Sequence, residues 1–247
     1  MAESRAITLG GGDRPLELAF VPFIDFANHE ACARGTAPSC SFRDAPASGG
    51  AGAVELVADR SLKGSEELCL LYDYCSSAQM FVHYGFVQQL PEGGSAFESC
   101  YFAVPVPSLD LFGGEAARAA RVEALRQVGW WRGRWRPLLL KMPDNAKAGG
   151  LLLRVARLAV LPSAEVVRER GAAVLGAGLP LEGADLEASA NALGLRWVRA
   201  AVQALDSELL RLGSDDGEGS ALRGAAAGLL RAERSVLEDC LELLSPV

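Results

Sequence analysis

Apolar residues recur in steps of three and four over the C-terminal part of the chain, the spacing of a helix with one buried face. Between Ala184 and Leu212 they fall at Leu195, Val198, Val202, Leu205, Leu209 and Leu212. Between Ala221 and Leu244 the same stripe is carried by Leu222, Leu229, Val236, Cys240 and Leu244. Gly213 to Gly219 (GSDDGEG) separates the two as a turn, so the pair is expected to pack antiparallel. Leu151 to Leu161 is apolar apart from Arg154 and Arg157 and suits a partly buried helix.

The first ninety residues follow a different pattern. Leu18 to Ile24 is a short apolar run, and the Gly/Ala/Ser/Pro stretch Ala45 to Gly52 reads as a loop. Ala53 to Asp59 and Leu68 to Tyr72 are β-like segments with a turn near Lys63-Gly64-Ser65 between them. Ser77 to Tyr84 is helix-like and stops at Gly85, a favoured C-cap residue. Tyr101 to Val106 alternates as a strand does, and Gly10-Gly11-Gly12 reads as a loop. The expected class is α+β, with a β-rich part over 1–90 and a mainly helical part over 91–247.

Composition narrows the partners. Half of the 247 residues are hydrophobic and the net charge is −7, which fits a globular chain and repels a phosphate backbone. No nucleic-acid partner is therefore expected, and a basic protein surface suits the chain better. The mixed cluster Trp130-Trp131-Arg132-Gly133-Arg134-Trp135-Arg136 is the one feature that resembles a single-strand nucleic-acid site. Its plainer reading is tryptophans packed on the helical part with arginines outward. The six cysteines lack Cys-x-x-Cys spacing, so reduced thiols in an intracellular protein are expected, and no metal site. No apolar run is long enough to cross a membrane, and no secretory leader is visible.

Two clusters carry candidate chemistry. The first is Val21-Pro22-Phe23-Ile24-Asp25-Phe26-Ala27-Asn28-His29. The second runs Gly64-Ser65-Glu66-Glu67-Leu68-Cys69-Leu70-Leu71-Tyr72-Asp73 and continues to Phe81-Val82-His83-Tyr84-Gly85-Phe86. Each alone has an ordinary explanation: Asn-His as a cap and a hydrogen-bonded core histidine, Tyr72 as a half-buried aromatic. In this order they resemble the two C-terminal motifs of SET-domain methyltransferases, in the branch of the Rubisco large-subunit and actin-histidine methyltransferases. That branch reads Pro-x-x-Asp-x-x-Asn-His, then Gly-Glu-Gln-(hydrophobic)-x-Ile-x-Tyr, then Ser-Asn-Ala-Glu and a helix ending Tyr-Gly-Phe. Here Pro22, Asp25, Asn28, His29, Glu66, Leu70, Tyr72, Ser76, Ala78 and Tyr84-Gly85-Phe86 stand in register.

The resemblance implies S-adenosyl-L-methionine (AdoMet) as cofactor and a protein side chain, most often lysine on a non-histone protein, as substrate. Tyr72 matches the catalytic tyrosine and Tyr84 a tyrosine lining the lysine channel. Asn28 and His29 match AdoMet-binding positions, and Asp25 supports their loop. His83 is expected to be a surface or packing histidine rather than a base. The helical part resembles that branch's substrate-binding lobe. A lysine, ordinarily near pKa 10.4, must lose its proton before attacking a sulfonium. An apolar channel favours the neutral amine, and a hydroxyl at its end orients the lone pair or accepts weak C–H bonds from the methyl group.

Departures accompany the match. Ser65 stands where the motif has glycine, Asp73 where a glycine follows the tyrosine, and Ser76-Ser77-Ala78-Gln79 where Ser-Asn-Ala-Glu is usual. About twenty residues precede Pro22, too few for the N-terminal half of a SET domain and its Gly-x-Gly strand. An AdoMet site of this kind takes groups from both halves. The 247 residues alone are therefore expected to bind AdoMet no tighter than about 1 mM and to transfer no methyl group. The alternative reading is a truncated, non-catalytic SET protein that acts as a protein-binding module.

Overall fold

The structure is a computed structural model that describes residues 7–11, 14–33, 36–45, 53–72, 74–89, 97–104, 113–130, 138–146, 150–178, 180–213 and 220–245. Most of the Trp/Arg cluster, Asp73, the loop 46–52, the turn 214–219 and the side chain of Asp25 lie outside that description. The class is α+β, with small sheets beside a majority of helix. The chain divides into two compact units, Met1–Glu98 with Gly219–Ala232, and Ser99–Glu218 with Glu233–Val247.

The first unit opens with an antiparallel hairpin, β1 (Ile7–Gly11) and β2 (Arg14–Ala19), paired Ile7 to Ala19 through Gly11 to Arg14 with a bulge between Leu9 and Gly11. Gly10 and Gly11 are thus strand residues, which corrects their reading as loop. After a 3-10 turn at Ile24–Phe26 come β3 (Asn28–His29), β4 (Cys40–Ala45), β5 (Ala53–Ala58) and β6 (Cys69–Leu70). These four form one sheet in the order β3-β6-β4-β5. β5 pairs antiparallel with β4, whose strand the sequence pattern did not announce, while β6 lies parallel between β3 and β4.

Helix α1 (Ser77–Tyr84) follows, and both its ends are capped. The Ser76 hydroxyl accepts the N–H of Gln79, and the Gln79 side chain accepts the N–H of Ser76, a reciprocal capping box in which glutamine does what glutamate would do. Gly85 closes the helix at φ 82°, a left-handed conformation that costs glycine nothing. One small core cluster of this unit consists of Ile24, Cys40 and Leu70, with Val21, Ala27, Phe42, Val54, Leu62 and Tyr72 packed around them, and Met80 of α1 is also buried.

The second unit is helical around one ribbon, β7 (Cys100–Ala103) antiparallel to β8 (Leu139–Met142). Its helices are α2 (Gly114–Gln127), α3 (Leu151–Val160), α4 (Ala164–Ala177), α5 (Ala184–Gly213) and the second half of α6 (Ser220–Leu244). α2 packs on α4, and α3 on α5. The expected partner of α5 was α6, but α3 is the closer one, because its apolar surface is nearly continuous and can be covered on several sides. The α6 stripe holds at Val236, Cys240 and Leu244, whereas Leu222 is 76% exposed.

Arg157, in the helix expected to be partly buried, is itself buried and is satisfied by a fork onto Glu187 (Nε to Oε2 2.9 Å) and by the Gly178 carbonyl at 2.7 Å. Arg121 and Arg154 likewise donate to carbonyls at the ends of α3 and α4. These groups would otherwise lack partners at a helix C-terminus, and the end of the helix dipole favours a cation there. Among the described residues no helix is long and apolar enough to cross a membrane.

Candidate functional site

The parallel pairing of β3 with β6 sets Asn28 beside Cys69 and His29 beside Leu70, which brings the two sequence motifs together. Two residues beyond β6, Tyr72 is held at two points. Its hydroxyl donates to the Ala27 carbonyl at 2.8 Å, and its backbone N–H donates to His29 Nδ1 at 3.3 Å. With its hydrogen committed to Ala27, the Tyr72 oxygen can act only as an acceptor toward a third group. Tyr84, in the last turn of α1, lies with its ring centroid 5.1 Å from that of Tyr72. His29 stands 5.4 Å from Tyr72 and 6.0 Å from Phe86, so Tyr72, Tyr84, Phe86 and His29 form one aromatic group.

His29 is half-buried, and burial lowers its pKa below the ordinary 6.5, against the opposing pull of the Gln88 hydrogen bond and the Glu30 charge. The neutral ring is what the geometry requires. Nδ1 accepts from Tyr72, so the hydrogen sits on Nε2 and is donated to Gln88 Oε1 at 2.9 Å. Gln88 Nε2 then donates to Glu98 Oε2 at 3.2 Å, and Glu98 accepts the N–H and hydroxyl of Ser77 at 2.8 and 2.9 Å. Sequence reading did not single out Gln88 or Glu98. Gln88 carried only a weak signal, as a polar residue just after the apolar Tyr84-Gly85-Phe86-Val87. Glu98 carried none.

Asn28 is exposed and its amide donates to Glu67 Oε1 at 2.6 Å. Glu66 ties down its own turn. It accepts the Lys63 N–H at 3.0 Å and pairs with Arg60, which reaches Glu30 at 3.3 Å. The Lys63 N–H and then Arg60 hold the Glu66 carboxyl below its ordinary pKa. Ser39, fully buried, both donates to the Cys69 carbonyl (2.8 Å) and accepts the Cys69 N–H (2.7 Å), stitching β6 in place.

Among the described residues two other than glycine have positive φ, and each belongs to one of the two sequence clusters: Phe23 at 72° and Ser65 at 73°. At Ser65 the backbone takes a conformation that a glycine would adopt without strain. Asp25 lies in the 3-10 turn that precedes β3. His83 is exposed on α1, with its ring against Tyr84. A scan against protein-family models finds no match to the chain, and a search of curated proteins finds none either.

Proposed function

We propose that the chain is part of an AdoMet-dependent protein N-methyltransferase acting on lysine, with Tyr72 as the residue that meets the reacting amine. The observation that carries this reading is the Tyr72 hydroxyl bound to the Ala27 carbonyl, beside Asn28-His29. An oxygen fixed in this way accepts from an amine N–H, turning the amine's lone pair toward a donor methyl, and accepts weakly from a polarised methyl C–H. Tyr84 and Phe86 supply the apolar wall that favours the neutral amine. Asn28 and His29 are the residues proposed to meet AdoMet, with Asp25 supporting their turn.

The test is AdoMet titration, with methyl transfer measured in parallel, on this chain and on the chain extended by any coding sequence found upstream in its transcript. Micromolar binding and transfer to protein lysines by the extended form support the enzyme. An extended form that neither binds AdoMet nor transfers methyl groups leaves the binding-module reading in its place. That rival draws on the aromatic surface at Phe20 and Phe26, both more than half exposed.

A further inference from the structure

We propose that Gln88, oriented by Glu98, is a positioning residue for Tyr72 and acts by fixing the tautomer of His29. The proposal rests on the reading of Tyr72 as the residue that meets the amine. A neutral imidazole carries one hydrogen, and the nitrogen that holds it is set by the partner of the other nitrogen. Tyr72 N–H needs Nδ1 bare, so Nε2 must be the donor, and the group facing Nε2 must be an acceptor. A glutamine amide could turn either its oxygen or its NH2 toward the ring. The Glu98 carboxylate decides between them, since it accepts only from the NH2 end, 3.2 Å away. Glu98 is itself fixed by the N–H and hydroxyl of Ser77 at the start of α1, and Ser77 and Gln88 are both buried. The order of control therefore runs from Ser77 to Glu98, to the Gln88 amide, to His29 and to the Tyr72 backbone.

The groups around His29 leave this path as the one that selects a tautomer. Gln88 is its polar partner on the Nε2 side, and Tyr72 and Phe86 present rings. Glu30, next in the chain, is turned to the Ser39 N–H at 2.7 Å and to Arg60. Glu67 is taken by Asn28, and from α1 the rings of Tyr84 and His83 stand beyond Tyr72.

The chain has two histidines, so nitrogen-detected NMR of the imidazole rings resolves His29 against His83 as an internal reference. Wild type is expected to show His29 with its hydrogen on Nε2. The near-isosteric Glu98→Gln removes the carboxylate, lets the Gln88 amide turn, and is expected to move a measurable share of His29 to the Nδ1–H form. The Tyr72 amide should then exchange with solvent about tenfold faster or more. Where methyl transfer is observed, kcat should fall about tenfold. Gln88→Leu should also disturb the tautomer, whereas a purely structural role would lower stability and leave the tautomer as it was. Wild-type His29 with its hydrogen on Nδ1 overturns the proposal, and so does a Glu98→Gln variant with an unchanged tautomer. That wild-type spectrum requires no variant to fold. A correct tautomer response in a form of the protein that binds AdoMet but transfers no methyl group would instead remove the Tyr72 assignment and leave the positioning chain intact.

Discussion

The two units of the chain are held together by different means. The helical unit buries a continuous cluster that runs from Cys100 through α3 and α5 to Leu244, and even its buried arginines are fully engaged on carbonyls or a carboxylate. The unit that carries the candidate site has a smaller apolar core, with Ile24, Cys40, Leu70 and Met80 among its buried side chains, and relies on polar ties, such as Ser39 on Cys69, Tyr72 on Ala27 and His29, and Glu66 on Arg60. Apolar burial is non-directional and tolerates small shifts, whereas a hydrogen bond fixes distance and angle but contributes only about 1 kcal/mol net. The first kind suits a lobe that must stay folded, and the second suits a site where particular atoms must be placed.

Changes that break each means of holding should separate the units. Val198 is wholly buried in α5, and Val198→Asp should cost about 4 kcal/mol or more by burying an unpaired charge. Calorimetry should show the helical unit's transition falling steeply, and a wild-type melt would mean that the α5 stripe does not face a core. Ser39→Ala should cost about 2 kcal/mol, since it leaves the Cys69 N–H and carbonyl without their buried partner. Hydrogen exchange should quicken at β4 and β6 and stay unchanged in α3 and α5; equal quickening everywhere would erase the distinction between the units.

Acid should act in the same order. His29 is held neutral in the fold with its pKa lowered, so the unfolded chain takes up its proton first. The stability this gives is full above pH 6.5 and is lost as pH falls through the lower folded value. In the helical unit, burial alone would raise Glu187, but the hydrogen bonds from Arg157 and the Leu181 N–H more than reverse it. Its contribution is therefore present above the ordinary 4.5 and is lost only as pH falls below that. Amide exchange followed from pH 7 to pH 4 should show the His29 region loosening first. The smallest effect is a gain: Ser65→Gly should stabilise the first unit by about 1 kcal/mol by relieving its left-handed backbone. A loss on that substitution would show that the serine side chain matters more than the strain.

The helical unit was legible only in part, since α2, α4 and the strand β8 were not singled out in the sequence. Helices at Leu151–Val160 and Ala184–Gly213 and the α6 positions Val236, Cys240 and Leu244 follow from spacing alone. Spacing does not say which helix covers which, so the partner of α5 and the burial of Arg157 emerged only with tertiary packing. In the first unit the motif residues were legible, and so was the α1 stop at Gly85. The strand β4 was not, because Cys40-Ser-Phe-Arg-Asp-Ala carries one strong strand former among small and charged residues. Gln88 and Glu98 were hidden because their role depends on a contact across the fold, at a separation of 59 residues for His29 and Gln88, that no local pattern records.

The claim on which the functional account turns is that Tyr72, placed by Ala27 and His29, positions the amine that is methylated. Methyl transfer to protein lysines by a form of this protein that binds AdoMet tests it directly, with wild type and Tyr72→Phe compared and AdoMet affinity measured alongside. The account predicts a fall in rate of about 10²-fold with affinity within a few-fold, because positioning is lost while the ring and its packing remain. An unchanged rate in Tyr72→Phe would contradict it.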